Sequence, residues 1–157
     1  MSKIQEAKKL LKQYFGYDEF RQGQEQLIEA ALNGQDVLGS CYRSRKSLCF
    51  QIPALMMDGI TLVISPLISL MKDQVGTLNQ AGIHAAFLNS SLTQGQYHTA
   101  LKYAMQGRYK IIYVAPERLE TEGFINFALN SGVKISMLAV DEHIVCLSGG
   151  RISDQVI

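Results

Sequence analysis

The feature that most constrains this chain is a repeated alternation. Short apolar runs rich in Val, Ile and Leu are each followed by a longer segment whose apolar residues recur at helical spacing. The runs are "DVLG", "ITLVIS", "AAFLN", "KIIYVA" and "ISMLAVDE". Helical periods cover residues 2–13, 23–33, 47–57, 67–80, 93–106 and 117–130. A strand that is apolar along its whole length has both faces covered, and helices between such strands make crossovers that lay successive strands parallel. The expected fold is therefore α/β, a mainly parallel sheet flanked by helices. No internal repeat, low-complexity tract or long linker interrupts the pattern.

In open sheets of this kind ligands gather at the carboxyl ends of the strands. The chemistry-bearing residues do follow strands. After "DVLG" comes "GSCYRSRKSLCF", which ends in Lys46-Ser47 at the start of a helix. That pair is the tail of a phosphate-loop motif, in which Lys meets the outer phosphates and the Ser hydroxyl ligates Mg²⁺. Lys-Ser at a helix start is also common capping chemistry. The preceding residues, Ser40 to Arg45, contain no glycine, so side chains occupy the space through which backbone N–H groups approach phosphate.

After "ISMLAV" comes Asp141-Glu142, the type of pair that holds Mg²⁺ and orients a water in many ATPases. An acidic turn is the alternative for the pair alone. The two elements together supply both metal-side parts of one site. Upstream, Tyr17, Arg21 and Gln24 offer a ring to stack, a cation and an amide able to pair with adenine, or simply the polar face of an amphipathic helix. "SPLISLMKDQ" and "APERL" bring Ser65, Lys72, Gln74 and Arg118 near strand ends, suited to a nucleic-acid backbone or to solvent.

Composition neither demands nor excludes such a ligand. The 157 residues are 47% hydrophobic and 18% charged with a net charge of +1, an ordinary globular balance with no field strong enough to imply nucleic acid or membrane. The three cysteines, Cys41, Cys49 and Cys146, show no C-x-x-C spacing, so neither a disulfide framework nor a zinc site is expected. With no signal-peptide core and no run of 18 apolar residues, the expected setting is the cytoplasm, without membrane contact. His84, His98 and His143 are scattered and are assigned surface or packing roles.

Taken in order, "FGYDEFRQGQ", "SLCFQIPAL", "LVISPLISLMKDQV", "FLNSS", "IIYVAPERLE" and "LAVDE" resemble the first motor lobe of the RecQ family of DNA helicases, from about Leu11 to Glu142. The resemblance implies a RecA-like phosphate-loop NTPase lobe, incomplete here, from an enzyme that unwinds duplex DNA with 3′ to 5′ polarity using ATP and Mg²⁺. It further implies that Tyr17, Arg21 and Gln24 form the adenine pocket, and that Lys46 and Ser47 hold phosphate and Mg²⁺. Asp141 and Glu142 would then serve metal and water as the catalytic pair, while Ser65, Lys72, Gln74 and Arg118 face single-stranded or forked DNA. A small-molecule kinase of the phosphate-loop class is disfavoured by "APERL" and by the adenine-pocket segment.

Two departures from the family pattern are severe, beside the mild one of Gln22 where the family usually has Pro. The loop stands where the family has approximately "MPTGAGKS", and residues 143–157 stand where it has approximately "AHCVSQWGHDFRPSY" after the acidic pair. Shifts of reading frame produce both. Removing three single bases from family-like codons yields "SCYRSRK", and removing one base yields the tail with a mismatch at Arg151. The expected organisation is a first helicase lobe over 1–142 and an out-of-frame tail over 143–157. The tail has no convincing period and is expected to pack poorly. The chain is expected to be a fragment with little or no unwinding activity. The alternative is a non-catalytic nucleic-acid-binding or interaction fragment.

Overall fold

The computed structural model of the chain describes residues 2–38, 47–140 and 143–146, with 37–38 and 143–146 described by their backbone alone. Helix α1 (Lys3–Leu10) starts at Ser2, whose hydroxyl accepts from the Gln5 N–H while the Gln5 side chain accepts from the Ser2 N–H, so two orphan donors are satisfied reciprocally. It runs into a π-helical stretch, Leu11–Phe15, that ends at left-handed Gly16. Helix α2 (Gln24–Leu32) leads to strand β1 (Val37–Leu38), and α3 (Leu48–Met56) to β2 (Ile60–Ile64). Then follow α4 (Ile68–Gln80), β3 (Ala85–Leu88), α5 (Gln94–Met105), β4 (Ile111–Val114), α6 (Glu122–Asn130), β5 (Ile135–Val140) and β6 (His143–Cys146).

The sheet order is β1-β6-β5-β2-β4-β3. Strands β5, β2, β4 and β3 are parallel neighbours. This is the helix-flanked parallel sheet that the apolar runs predict, an α/β lobe of incomplete RecA-like form. Strand β6 is antiparallel to both β5 and β1, so β1 points the same way as the parallel strands. All five strands expected from sequence therefore share one carboxyl edge.

The core divides by the two-residue period of the strands. Ile111, Tyr113 and Ala115 face one way and pack with α2, α3 and α4 residues such as Ala31, Ala54, Met71 and Val75. Ile112 and Val114 face the other way, against Leu101 of α5 and Phe124 and Phe127 of α6. A third cluster, Ala7, Leu11, Ile28, Leu48 and Ile52, fastens α1 and α2 onto α3. At the amino edge, Gly59 has φ +92°, and a Cβ there would lie 2.6 Å from the Lys134 carbonyl oxygen. The tight turn into β2 requires glycine on both counts.

Two expectations need correction, and one strand is added to the five read from sequence: residues 143–146 make β6, pairing Val140 with His143 through Met137 with Cys146. Backbone pairing along the otherwise open edge of β5 needs no side-chain period, which is why the pattern does not announce it. Cys49 is disulfide-bonded, where the cysteine spacing led to no disulfide being expected. The helical period over 117–130 is also broken: Pro116–Arg118 form a 3-10 turn, Thr121 is extended, and α6 begins at Glu122. No helix among the described residues is long and apolar enough to cross a membrane.

Candidate nucleotide and nucleic-acid site

Strand order decides which loops meet. Because β2, β4 and β3 are consecutive in the sheet, the segments after them, beginning at Ser65, Ala115 and Asn89, stand side by side along the carboxyl edge. Backbone bonds tie them together: Ser65 N–H donates to the Val114 carbonyl at 3.1 Å, and Ala115 N–H to the Leu88 carbonyl at 2.9 Å.

Of the expected nucleotide residues, Lys46, Asp141 and Glu142 lie outside the described residues. Ser47 is half-buried at the start of α3, and its carbonyl accepts from Gln51 N–H at 3.0 Å. Its hydroxyl makes no capping hydrogen bond.

Tyr17 and Arg21 are exposed, Tyr17 at 42%, whereas Gln24 is fully buried. The Gln24 Oε1 accepts from the Arg21 N–H at 2.7 Å. The amide thus stitches the entry of α2, next to left-handed Gly23, and holds the segment between Tyr17 and α2 in one geometry. All three residues lie on one short stretch, with the ring and cation outside and the amide inside.

The residues expected to meet a nucleic-acid strand divide in two. Lys72 projects into solvent from α4. Ser65 Oγ accepts from the Leu67 N–H at 3.2 Å, forming the turn that launches α4. Leu67 and Leu70, 57% and 43% exposed, flank that turn. Gln74 turns inward, and its Oε1 accepts from the Tyr113 hydroxyl. Arg118 lies back over the Tyr97 ring, its guanidinium carbon 4.7 Å from the ring centroid, while Nη2 donates to the Asn89 carbonyl at 3.4 Å. Its Nε is buried without a hydrogen-bond partner among the described residues.

Sequence reasoning missed Gln51, Tyr113, Asn89 and Tyr97. Gln51 Nε2 donates to the Tyr113 hydroxyl at 3.0 Å, deep under α3. Burial pushes the Tyr113 hydroxyl far above the usual tyrosine range, so it stays protonated and able to donate. Asn89, fully buried, accepts at Oδ1 from the Ser91 N–H at 2.9 Å and shapes the loop beside Arg118. The available signal was a polar residue inside an apolar period, as in "CFQIPAL" and "IIYVA".

The described residues thus form a mainly parallel α/β lobe with its strand-end loops gathered on one edge. The chain belongs to the DEAD/DEAH box helicase family, whose pattern matches residues 21–154. Similar curated proteins include several RecQ helicases. The chain is 52% identical over 146 residues to the ATP-dependent DNA helicase RecQ of Haemophilus influenzae, covering 90% of this chain and 23% of that protein. It is 49% identical over 139 residues to the same-named protein of Pasteurella multocida (88% and 22%) and 43% over 143 residues to that of Bacillus subtilis (88% and 24%). The chain thus spans about a quarter of the length of these relatives.

Proposed function

We propose that the chain is the first motor lobe of a RecQ-type helicase, a protein that in its full length uses ATP and Mg²⁺ to unwind DNA in the 3′ to 5′ direction in the cytoplasm or nucleoid. For this chain alone we propose binding of single-stranded DNA along the carboxyl edge of β2, β4 and β3, without unwinding. The observation that carries the reading is the side-by-side placement of the Ser65, Asn89 and Arg118 segments in a member of this helicase family. Lys72 supplies an exposed cation on that edge, and Leu67 and Leu70 supply apolar surface for bases.

The nucleotide side fits ATP and Mg²⁺ only in part. Ser47 stands at a helix start with its hydroxyl uncommitted to capping. Lys46 and Asp141-Glu142 are the right donors by type. The loop itself carries Tyr42, Arg43 and Arg45 where close backbone approach to phosphate is needed, so it does not fit as a phosphate cradle. This favours a non-catalytic state for the chain as written. A shifted reading frame over Ser40–Arg45 and 143–157 explains that loop; an intact frame in the encoding DNA and its transcript would refute it.

Anisotropy of a fluorescein-labelled oligo-dT measures the binding proposal directly. The expected result is salt-dependent binding that ATP does not alter, with Lys72→Ala lowering the logarithmic salt slope by about 0.7, the share of one single-strand phosphate contact. Absence of oligo-dT binding at low salt overturns the strand-binding reading. DNA-stimulated ATP hydrolysis that disappears on Lys46→Ala overturns the non-catalytic one.

A further inference from the structure

We propose that Tyr113 is a positioning residue: with Gln51 and Gln74 it forms a buried polar tie that holds the amino-terminal half of α4 against α3, joining the nucleotide side of the edge to the strand side. The inference deepens the strand-binding reading and rests on it for its functional consequence, but the tie itself is a matter of structure.

The three groups form an ordered chain. Gln51 Nε2 on α3 donates to the Tyr113 oxygen, and the Tyr113 O–H donates to Gln74 Oε1 on α4. Gln51 is 4% exposed and Tyr113 is 2% exposed, so neither can exchange its partner for bulk water. The Tyr113 ring is fixed in turn by Phe50, with centroids 6.3 Å apart and planes at 68°. A tyrosine hydroxyl both accepts and donates, so one atom on β4 meets an amide from each helix. Phenylalanine in its place strands the Gln51 N–H groups and releases Gln74.

The tie acts on one half of α4 only. Gln74 is seven residues into the helix, one turn after Met71, whose N–H donates to the Leu67 carbonyl. The other half has its own fastening: Asn79 Nδ2 donates to the Ala85 carbonyl at 3.2 Å and its Oδ1 accepts from the Ala85 N–H at 3.0 Å. The inward turn of Gln74 has a geometric consequence for Lys72. Residues two apart lie on nearly opposite sides of a helix, so fixing Gln74 toward β4 points Lys72 outward, where it is exposed. Because the same hydroxyl holds Gln51, four residues after Ser47 and thus one turn into α3, displacement of that end of α3 is felt at Gln74.

Amide hydrogen exchange on the whole chain reads the tie without any ligand. Tyr113→Phe is expected to speed exchange about tenfold over Met71–Val75, while Leu78–Ala81, held by Asn79, does not change. Gln51→Leu, on a different helix, is expected to raise the same Met71–Val75 amides by about threefold, since Tyr113 then loses the donor that polarises it. It also carries the test should Tyr113→Phe fail to fold. A uniform rise along α4, or no rise over Met71–Val75 in either variant, overturns the proposal. In the oligo-dT assay Tyr113→Phe is expected to weaken binding about threefold and to leave the salt slope intact. A wild-type chain that does not bind oligo-dT refutes the strand-binding reading alone, and the exchange pattern still decides the tie.

Discussion

The two faces of the sheet are built from different chemistry. Under α5 and α6 the fully buried side chains are hydrocarbon, Phe127, Ile112 and Ile135 among them, and the Tyr97–Thr121 hydroxyl pair at 2.9 Å lies at the half-buried margin. Under α2, α3 and α4 the apolar packing is interrupted by the Gln51–Tyr113–Gln74 chain, and buried Asn89 sits against the Met71 sulfur at 3.6 Å. Hydrocarbon burial is non-directional, so it stabilises a helix on a sheet without fixing its register. A fully satisfied buried polar network does fix register, because each bond has one geometry. The face carrying such bonds is the one whose helices lead to Ser47 and Lys72. The difference teaches that the lobe separates stability from placement, and assigns one to each face.

The largest expected effect lies on the hydrocarbon face. Phe127 is fully buried and packs on Phe124 at a centroid distance of 5.9 Å. Phe127→Ala is expected to cost ~3–5 kcal/mol in urea unfolding, the usual range for emptying an aromatic core position. The folded fraction should bind oligo-dT as the parent does. A variant that keeps its stability but loses binding would erase the division between the faces.

A smaller effect is expected from Asn79→Ala, on the other side. Asn79 mimics a neighbouring strand by engaging both backbone groups of Ala85 on the edge strand β3. Water reaches this edge, so the loss is expected near ~1 kcal/mol. It should be concentrated in the exchange of the Ala85 amide. A cost as large as that of Phe127→Ala would mean that directional bonds carry the stability of this face too.

Much of this was legible in the sequence, and the reasons are specific. A run such as "ITLVI" reads as a strand covered on both sides, and its follower lies at the carboxyl edge, so Ser65 and Arg118 fall at that edge by chain order, whereas which strands are neighbours does not follow. Orientation did not follow. Lys72 and Gln74 look alike as polar residues of "LMKDQ", yet one is exposed and the other accepts from Tyr113. Gln24 reads as a free amide but spends its oxygen on the Arg21 N–H. Strand β6 is held by backbone pairing, to which residue type contributes little, and the Pro116–Arg118 turn breaks the helical period expected over 117–130 and moves the start of α6 to Glu122. Polar side chains choose partners through tertiary contacts, which a one-dimensional pattern does not contain.

The smallest expected effect tests whether polar bonds far from the site behave as those near it. Lys110, just before β4 at the amino edge, donates from Nζ to the Met57 carbonyl. Burial lowers its pKa below the ordinary lysine value of 10.5, and nearby Asp58 only partly offsets this. The folded chain therefore binds fewer protons than the unfolded chain between the folded pKa and 10.5, and stability rises with pH across that window. The gain is complete above the unfolded value and is lost as pH falls through the folded one. A neutral amine still has N–H groups to give Met57, so deprotonation removes the cost of burying charge without breaking the bond. Urea unfolding of the parent and of Lys110→Met at a series of alkaline pH values isolates this group from the other titrating lysines and tyrosines. The parent should gain on the variant as pH climbs toward 10.5; a constant difference would show that Lys110 is held by its hydrocarbon stem, as the side chains under α5 and α6 are, and not by its charge.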